Sequence, residues 1–225
     1  PERLNDIELG IERARNRYNW SATLYYMNYE NQLVLTGKIN DVGAYTRTNI
    51  DKSYRAGIEL QGSYNFCKWL DAGANLALSR NKVKGFTEYY DDYDNSGQKQ
   101  NVFTETDIAF SPAVTGSIIL NLKPEKNTEV SLTGKYVSRQ FLDNTTNKSR
   151  SLNPYYTQDL RTSYKLSYKS LKEMNIILQV NNLFNMKYEP NGYTYSYFYG
   201  GETTTENFYF PMAGINFLAG VNFRF

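Results

Sequence analysis

The last thirteen residues alternate with period two. Ala213, Ile215, Phe217, Ala219, Val221, Phe223 and Phe225 hold one phase, and Gly214, Asn216, Leu218, Gly220, Asn222 and Arg224 hold the other. Successive side chains on a strand point to opposite faces, so the segment predicts a β-strand with one wholly apolar wall and one mostly polar wall, closed by an aromatic residue. The pattern returns upstream. Ala56, Ile58, Leu60, Gly62, Tyr64 and Phe66 alternate with Arg55, Gly57, Glu59, Gln61, Ser63 and Asn65. Tyr156, Leu160, Tyr164, Leu166 and Tyr168 stand opposite Thr157, Asp159, Arg161, Ser163, Lys165 and Ser167, and Met174, Ile176, Leu178, Val180 and Phe184 repeat the scheme. Taken along the whole chain, the pattern predicts nine strands, near residues 6–15, 18–32, 53–66, 70–82, 111–122, 128–140, 155–168, 174–184 and 208–225.

The connections between these strands are unequal. Asn16-Arg17, Cys67-Lys68-Trp69, Lys123 to Asn127 and Lys169 to Glu173 are short, whereas the stretches near 35–52, 83–110, 141–154 and 187–207 are long. Short and long alternate, so an up-and-down meander puts the tight turns at one rim and the long loops at the other, the asymmetry of a transmembrane β-barrel. Tyr156 and Tyr168 bracket a run that rises roughly 30 Å at about 3.3 Å per residue and 40° tilt, the height of an apolar band with its aromatic girdles. Trp20 and Trp69 flank short turns, where interfacial indoles belong. On the apolar phases, charge is confined to strand ends, at Arg13, Glu30 and Arg80. A half-buried sheet of a soluble protein also alternates; loop asymmetry, girdle spacing and the terminal Phe favour lipid.

Composition narrows the field. Aromatics make up 16% of the 225 residues, yet the mean hydropathy is negative and no apolar run approaches the 18 or so residues of a spanning helix. Strands with one polar wall reconcile membrane residence with that average. The net charge of +2 comes from interspersed acids and bases, which gives no field for nucleic acid. With no His and Cys67 as the single cysteine, intrachain disulfides, Cys/His metal sites and His-based catalysis have no residues to use. No cofactor, metal site or catalytic residue is expected. The opening at Pro1 shows no charged and apolar leader, so an exported protein would be longer than this piece.

Three blocks carry a family resemblance. Leu24-Tyr25-Tyr26-Met27-Asn28-Tyr29-Glu30-Asn31-Gln32-Leu33 is followed by Thr36-Gly37 and then by Asn49, Ser53, Gly57 and Glu59; Val180-Asn181-Asn182-Leu183-Phe184-Asn185 precedes Lys187-Tyr188; the closing strand ends in Phe225. In this order the blocks resemble the C-terminal half of the barrel of TonB-dependent outer-membrane receptors, especially the Bacteroidetes members. The resemblance implies an all-β, antiparallel up-and-down transmembrane barrel of 22 strands in the bacterial outer membrane, of which this chain supplies about the last nine. It implies an N-terminal plug lying outside this chain, a TonB complex reached through that missing N-terminus, and a barrel-assembly machinery that reads the terminal aromatics, Phe223 and Phe225. Arg55, Glu59, Asp159 and Arg161, on the polar phases, would face the lumen or the plug. Uptake of a ferric siderophore, haem or cobalamin is the family habit. A glycan importer of the SusC type, paired with a surface lipoprotein, is the alternative within the family, and a passive porin or a soluble all-β carbohydrate-binding or adhesin module is the alternative outside it.

The long loops hold the candidate ligand contacts. Glu88 to Gly97 is acidic and aromatic. Asp92, Asp94, Ser96 and Gly97 imitate the opening of an EF-hand, but Phe103 occupies the twelfth position, where a bidentate Glu is required, so a solvated loop is expected. Tyr89, Tyr90 and Tyr93, together with Tyr193, Tyr195, Tyr197 and Tyr199 before Gly200-Gly201, offer ring faces for a sugar or a catecholate.

Overall fold

The computed structural model describes residues 1–168 and 171–224; Phe225 and the first two residues of the connection predicted at Lys169 to Glu173 lie outside them. Fourteen strands are formed: β1 (Arg3–Ala14), β2 (Tyr18–Ile39), β3 (Tyr45–Cys67), β4 (Leu70–Asp92), β5 (Gly97–Asp107), β6 (Val114–Glu125), β7 (Thr128–Val137), β8 (Gln140–Phe141), β9 (Ser151–Leu152), β10 (Tyr155–Tyr168), β11 (Leu171–Asn181), β12 (Asn191–Tyr199), β13 (Glu202–Phe210) and β14 (Asn216–Arg224). Nine of them form one antiparallel meander in the order β1-β2-β3-β4-β6-β7-β10-β11-β14. These are the nine predicted strands. The other five belong to the long connections, which are built of strands where loops were expected.

The register fixes the two faces of this wall. Leu9 pairs with Leu24, Leu24 with Ile58, Ile58 with Leu78 and Leu78 with Val114, whereas Glu8 pairs with Tyr25 and Thr23 with Glu59. One face therefore carries Ile7, Leu9, Ile11, Leu24, Leu60, Leu76, Ile118, Leu178 and Val221, all of them exposed. Aromatics stand on the same face toward both rims: Trp20, Tyr64, Phe66, Tyr164 and Phe223 near the short turns, and Tyr26, Tyr136 and Tyr156 near the long connections, with Tyr26 stacked on Tyr54 at 6.1 Å. From Tyr64 to Tyr54 the wall rises about 25 Å at 3.3 Å per residue and 40° tilt. On the opposite face Gly57 makes room for a ring, since a Cβ there would sit 2.6 Å from the Tyr25 hydroxyl.

Above the wall the alternation changes phase. Inward positions on β2 are odd through Tyr29, but the buried ones beyond Asn31 (φ 54°) are Gln32 and Val34; on β4 they shift from Asn81 and Val83 to Phe86, Glu88, Tyr90 and Asp92 across Gly85 (φ 71°). Pairing continues through both points, with Glu30 on Lys52 and Gln32 on Ile50, and with Lys84 on Glu105 and Phe86 on Phe103. A left-handed residue turns the following side chains to the other face, and Asn and Gly are the residues that adopt it cheaply. The rotated segments gather Val34, Ile50, Val83, Phe86 and Ile108 into a small core with Phe103 against it.

The predicted boundaries are corrected accordingly. The strands expected to end at 32 and 82 and to begin at 53 run on past the phase shifts, so the stretch near 35–52 is two strand ends joined by a turn in which the Asn40 side chain accepts from the amides of Val42 and Ala44. The stretch near 83–110 is the rest of β4 with β5, and that near 187–207 belongs to the β12–β13 hairpin. The last strand starts at Asn216 rather than 208, because Phe208 to Phe210 pair with Asn191 to Tyr193 and Pro211, which has no N–H to donate, follows them.

Candidate functional site

The outer ends of β2, β3, β4 and β5 and the β12–β13 hairpin form a crown over the loop rim. β12 presents two different faces. Gly192, Thr194 and Ser196 are buried on one, and Tyr193, Tyr195 and Tyr197 are half-buried on the other. Its hairpin docks on the acidic segment: Tyr197 and Phe198 run parallel to Asp91 and Asp92, the Tyr93 amide donates to the Phe198 carbonyl at 3.0 Å, and the Asp94 carboxylate accepts from the amides of Gly200 (2.9 Å) and Gly201 (2.8 Å). Asp92 accepts from the amides of Asp94 and Asn95 and from the Asn95 side chain, in an Asx turn. The carboxylates that imitate a calcium loop thus hold backbone.

Three of the predicted tyrosines meet here. The Tyr93 and Tyr195 hydroxyls lie 2.8 Å apart, Tyr195 donates to Asp91 at 3.2 Å, and the Tyr197 ring stands 5.8 Å from Tyr93 and 5.7 Å from Tyr195. The Tyr93 hydrogen bond, burial and the Asp91 carboxylate together raise the pKa of Tyr195 above the ordinary phenol value. The others are placed apart. Tyr193 stacks on Phe208 at 4.7 Å, Tyr89 and Tyr199 are exposed, and Tyr90 is buried, so no ligand reaches Tyr90 with the crown in this arrangement. Tyr89 and Tyr90 differ because they are neighbours on a strand whose even residues face inward after Gly85.

The predicted lumenal residues lie on the polar wall. Arg55 donates to Asn81 and to Ser111, both at 3.1 Å, and shares with Glu8, Tyr25 and Glu59 a hollow of about 430 Å³ roofed by Phe110 to Pro112. Asp159 accepts from the Asn182 amide at 2.8 Å. Arg161 sits on the same phase, opposite Ser131 and Gln179. Phe223 lies on the apolar face opposite Met174.

The Asn-Asn-Leu-Phe-Asn block resolves into a lock. Asn182 (φ 52°, buried) accepts from the Met186 amide and donates to the carbonyls of Met186 and Ala213, while Asn185 accepts from the Ile215 amide and Asn181 donates to Asn216. It ties the exit of β11 to the entry of β14. The Tyr188 ring that follows stacks on buried Tyr155 at 4.4 Å.

Arg150 was not foreseen. It is buried and binds Glu88 of β4, Asp143 at 2.9 Å and Thr205 of β13 at 3.3 Å, which joins three connections. Burial opposes its charge, but the two carboxylates outweigh burial and raise its pKa. Beside it Asn144 donates to the Leu35 carbonyl and accepts from the Ala109 amide, both at 2.8 Å. These residues lie in an aperiodic stretch, where no alternation marks a side chain as inward. Under the hairpin Arg150 and Asp143 help line a cavity of about 270 Å³, together with Thr36, Lys38, Thr48, Thr87, Thr194 and Ser196 among others.

An antiparallel meander with an uncovered apolar belt, aromatic rims and one-sided loops defines the class: an arc of a transmembrane β-barrel. Residues 1–183 match the family described as TonB dependent receptor-like, β-barrel, and the chain belongs to that family; its place is the bacterial outer membrane. No curated protein matches the sequence. Among solved structures the chain is similar to the ferric-catecholate import receptor Fiu from K12 E. coli in its closed form (17% identity, TM-score 0.66, covering 100% of this chain and 28% of that one). It is similar also to the siderophore receptor PiuA from Acinetobacter baumannii (16%, 0.67, 99% and 28%) and to the copper transporter OprC (17%, 0.66, 99% and 31%). At these identities the likeness is one of fold, and the chain spans less than a third of the length of each.

Proposed function

We propose that the chain is the C-terminal arc of an outer-membrane receptor, a transporter and not an enzyme, that takes up a scarce ligand with energy passed through TonB. The observation that carries this reading is the stacking of two layers: an aromatic crown of Tyr93, Tyr195 and Tyr197 above a charged wall with Arg55 and Glu59. Rings at the mouth capture a ligand by its flat or apolar surface, and the polar wall supplies partners for a plug contributed by the rest of the protein. In this reading the ligand binds to crown and plug, the TonB complex rearranges the plug through the N-terminal part, and the ligand crosses the lumen. The barrel-assembly machinery recognises the strand ending in Phe223 and Phe225.

The names of the similar structures, ferric catecholate, siderophore and copper, support a siderophore or metal cargo over haem or cobalamin; a glycan importer with a surface lipoprotein is the second reading, supported by the hydroxyl-lined cavity. Uptake of labelled ferric catecholate by cells carrying the full-length receptor, with and without TonB, tests the reading. It predicts accumulation that requires both TonB and the receptor, reduced severalfold by the triple change of Tyr93, Tyr195 and Tyr197 to Ala. Flux of small solutes that is indifferent to TonB would identify a passive pore instead.

A further inference from the structure

The turn between β1 and β2 carries charge that the protein does not compensate. Arg13, Arg15 and Arg17 fall within five residues that hold no acid, and all three are exposed. Among the described residues none of them pairs with a carboxylate, and neither does exposed Lys68 in the neighbouring turn. The Asn65 amide, which donates to the Arg17 carbonyl at 2.7 Å, draws that second turn alongside. At the other rim Arg3, Arg80 and Lys82 each have a carboxylate partner, in Glu30, Glu105 and Asp107.

The alternation places Arg13 on the lipid side. It continues the phase of Ile7, Leu9 and Ile11 and pairs with Trp20, whereas Glu12 lies on the opposite phase, across from Ser21. The Arg13 guanidinium stands 6.0 Å from the centre of the Tyr18 ring. Tyr18 pairs with Tyr64, whose ring meets Phe66 edge-on at 4.9 Å. A cation among such rings lies at the depth of lipid headgroups, where charge is far cheaper than at the bilayer midplane. The tight turns of an outer-membrane barrel face the periplasm, so these headgroups belong to the inner leaflet. The guanidinium fork matches phosphate oxygens two at a time. The turn is held shut by the Arg15 amide, which donates to the Tyr18 carbonyl at 2.7 Å, so its three arginines stay close together and their fields add.

We infer that this turn binds an anionic phospholipid of the inner leaflet, with Arg13 on the phosphate and the rings of Tyr18, Trp20 and Tyr64 beside the glycerol and the first methylenes. Arg15, Arg17 and Lys68 supply the preference for a headgroup of net negative charge over a zwitterionic one, because each basic residue near an anionic headgroup adds to the attraction. The inference rests on the place of the barrel in the membrane and not on its cargo, so the uptake reading and this one can fail separately.

The test takes Trp20 as its reporter in the purified full-length receptor, reconstituted in bilayers of phosphatidylethanolamine with a minor fraction of phosphatidylglycerol. Fluorescence quenching is recorded with bromine near the headgroup of one lipid or of the other, and the Trp20 signal is the difference between the receptor and its Trp20→Phe variant. Per mole of brominated lipid, phosphatidylglycerol is expected to quench Trp20 at least about fivefold more strongly than phosphatidylethanolamine, the effect of one engaged basic residue. Changing Arg13, Arg15 and Arg17 together to Gln should abolish the preference, Arg13→Lys should reduce it, and Arg3→Gln at the opposite rim should leave it unchanged. Heat-modifiable gel mobility shows that each variant is folded; should the triple change fail this check, Arg15→Gln with Arg17→Gln replaces it. Equal quenching by the two lipids would overturn the assignment, as would a preference indifferent to the arginine changes. Quenching by neither lipid would also overturn it, since the turn would then lie under protein.

Discussion

Single residues in the crown do different kinds of work. Arg150 neutralises Glu88 and Asp143 in a site where all three side chains are buried. Arg150→Ala strands two buried carboxylates at a cost of about 3–5 kcal/mol. Faster hydrogen exchange is expected along the outer end of β4 and in β12, with exchange in the wall unchanged; equal acceleration everywhere would place Arg150 in a global role. Asn182 combines a left-handed backbone with three side-chain hydrogen bonds. Asn182→Ala should lower stability by about 1–3 kcal/mol, seen as a lower temperature for loss of the compact gel form. Tyr195 has a raised pKa, so its stabilising contact is complete below the ordinary phenol value near 10 and is lost only as pH rises through the higher folded value. Absorbance titration at 295 nm should show a late-ionising phenol that Tyr195→Phe removes.

At the level of elements, the wall strands were legible and the crown was not, for one physical reason. Alternation reports a strand only while its inward phase is constant. Asn31 and Gly85 shift that phase, so the pattern breaks where the strand does not, and the predicted ends at 32, 53 and 82 fall beside the shifts. The β12–β13 hairpin was hidden differently: Tyr193, Tyr195 and Tyr197 alternate with Thr194 and Ser196, but the small polar residues are the buried ones, the reverse of the usual rule. The sequence therefore names seven tyrosines together where the structure groups only Tyr93, Tyr195 and Tyr197 and buries Tyr90, and it gives no sign of Arg150. Replacing Gly85 by Val forces a β-branched residue into the left-handed region at about 1–2 kcal/mol. The change is expected to loosen Phe86 and Glu88 and to raise proteolysis within β4–β5 without altering membrane insertion.

At the scale of the whole molecule, the distribution of apolar residues decides the environment. Among the described residues every buried apolar side chain, from Val34 and Ile50 through Val83 and Phe86 to Leu142 and Tyr155, lies in the crown or at the loop rim, while the wall exposes Ile7, Leu9, Ile11, Leu24, Leu178, Phe217 and Val221. A soluble sheet would hide this belt under a second layer; a contiguous patch of this size in water is an aggregation site. The open ladders of β1 and β14 make the same point, since hydrocarbon tolerates no unpaired strand edge and the arc has to be continued by further strands. The direct measurement is spin-label accessibility in the full-length receptor reconstituted in bilayers, with labels at Leu160 and Val221 on the belt and at Arg161 on the lumenal phase. High collision rates with oxygen and low rates with a water-soluble nickel chelate are predicted at Leu160 and Val221, and the opposite order at Arg161. Labels at Leu160 and Val221 that are shielded from both reagents, as inside a packed protein core, would contradict the account.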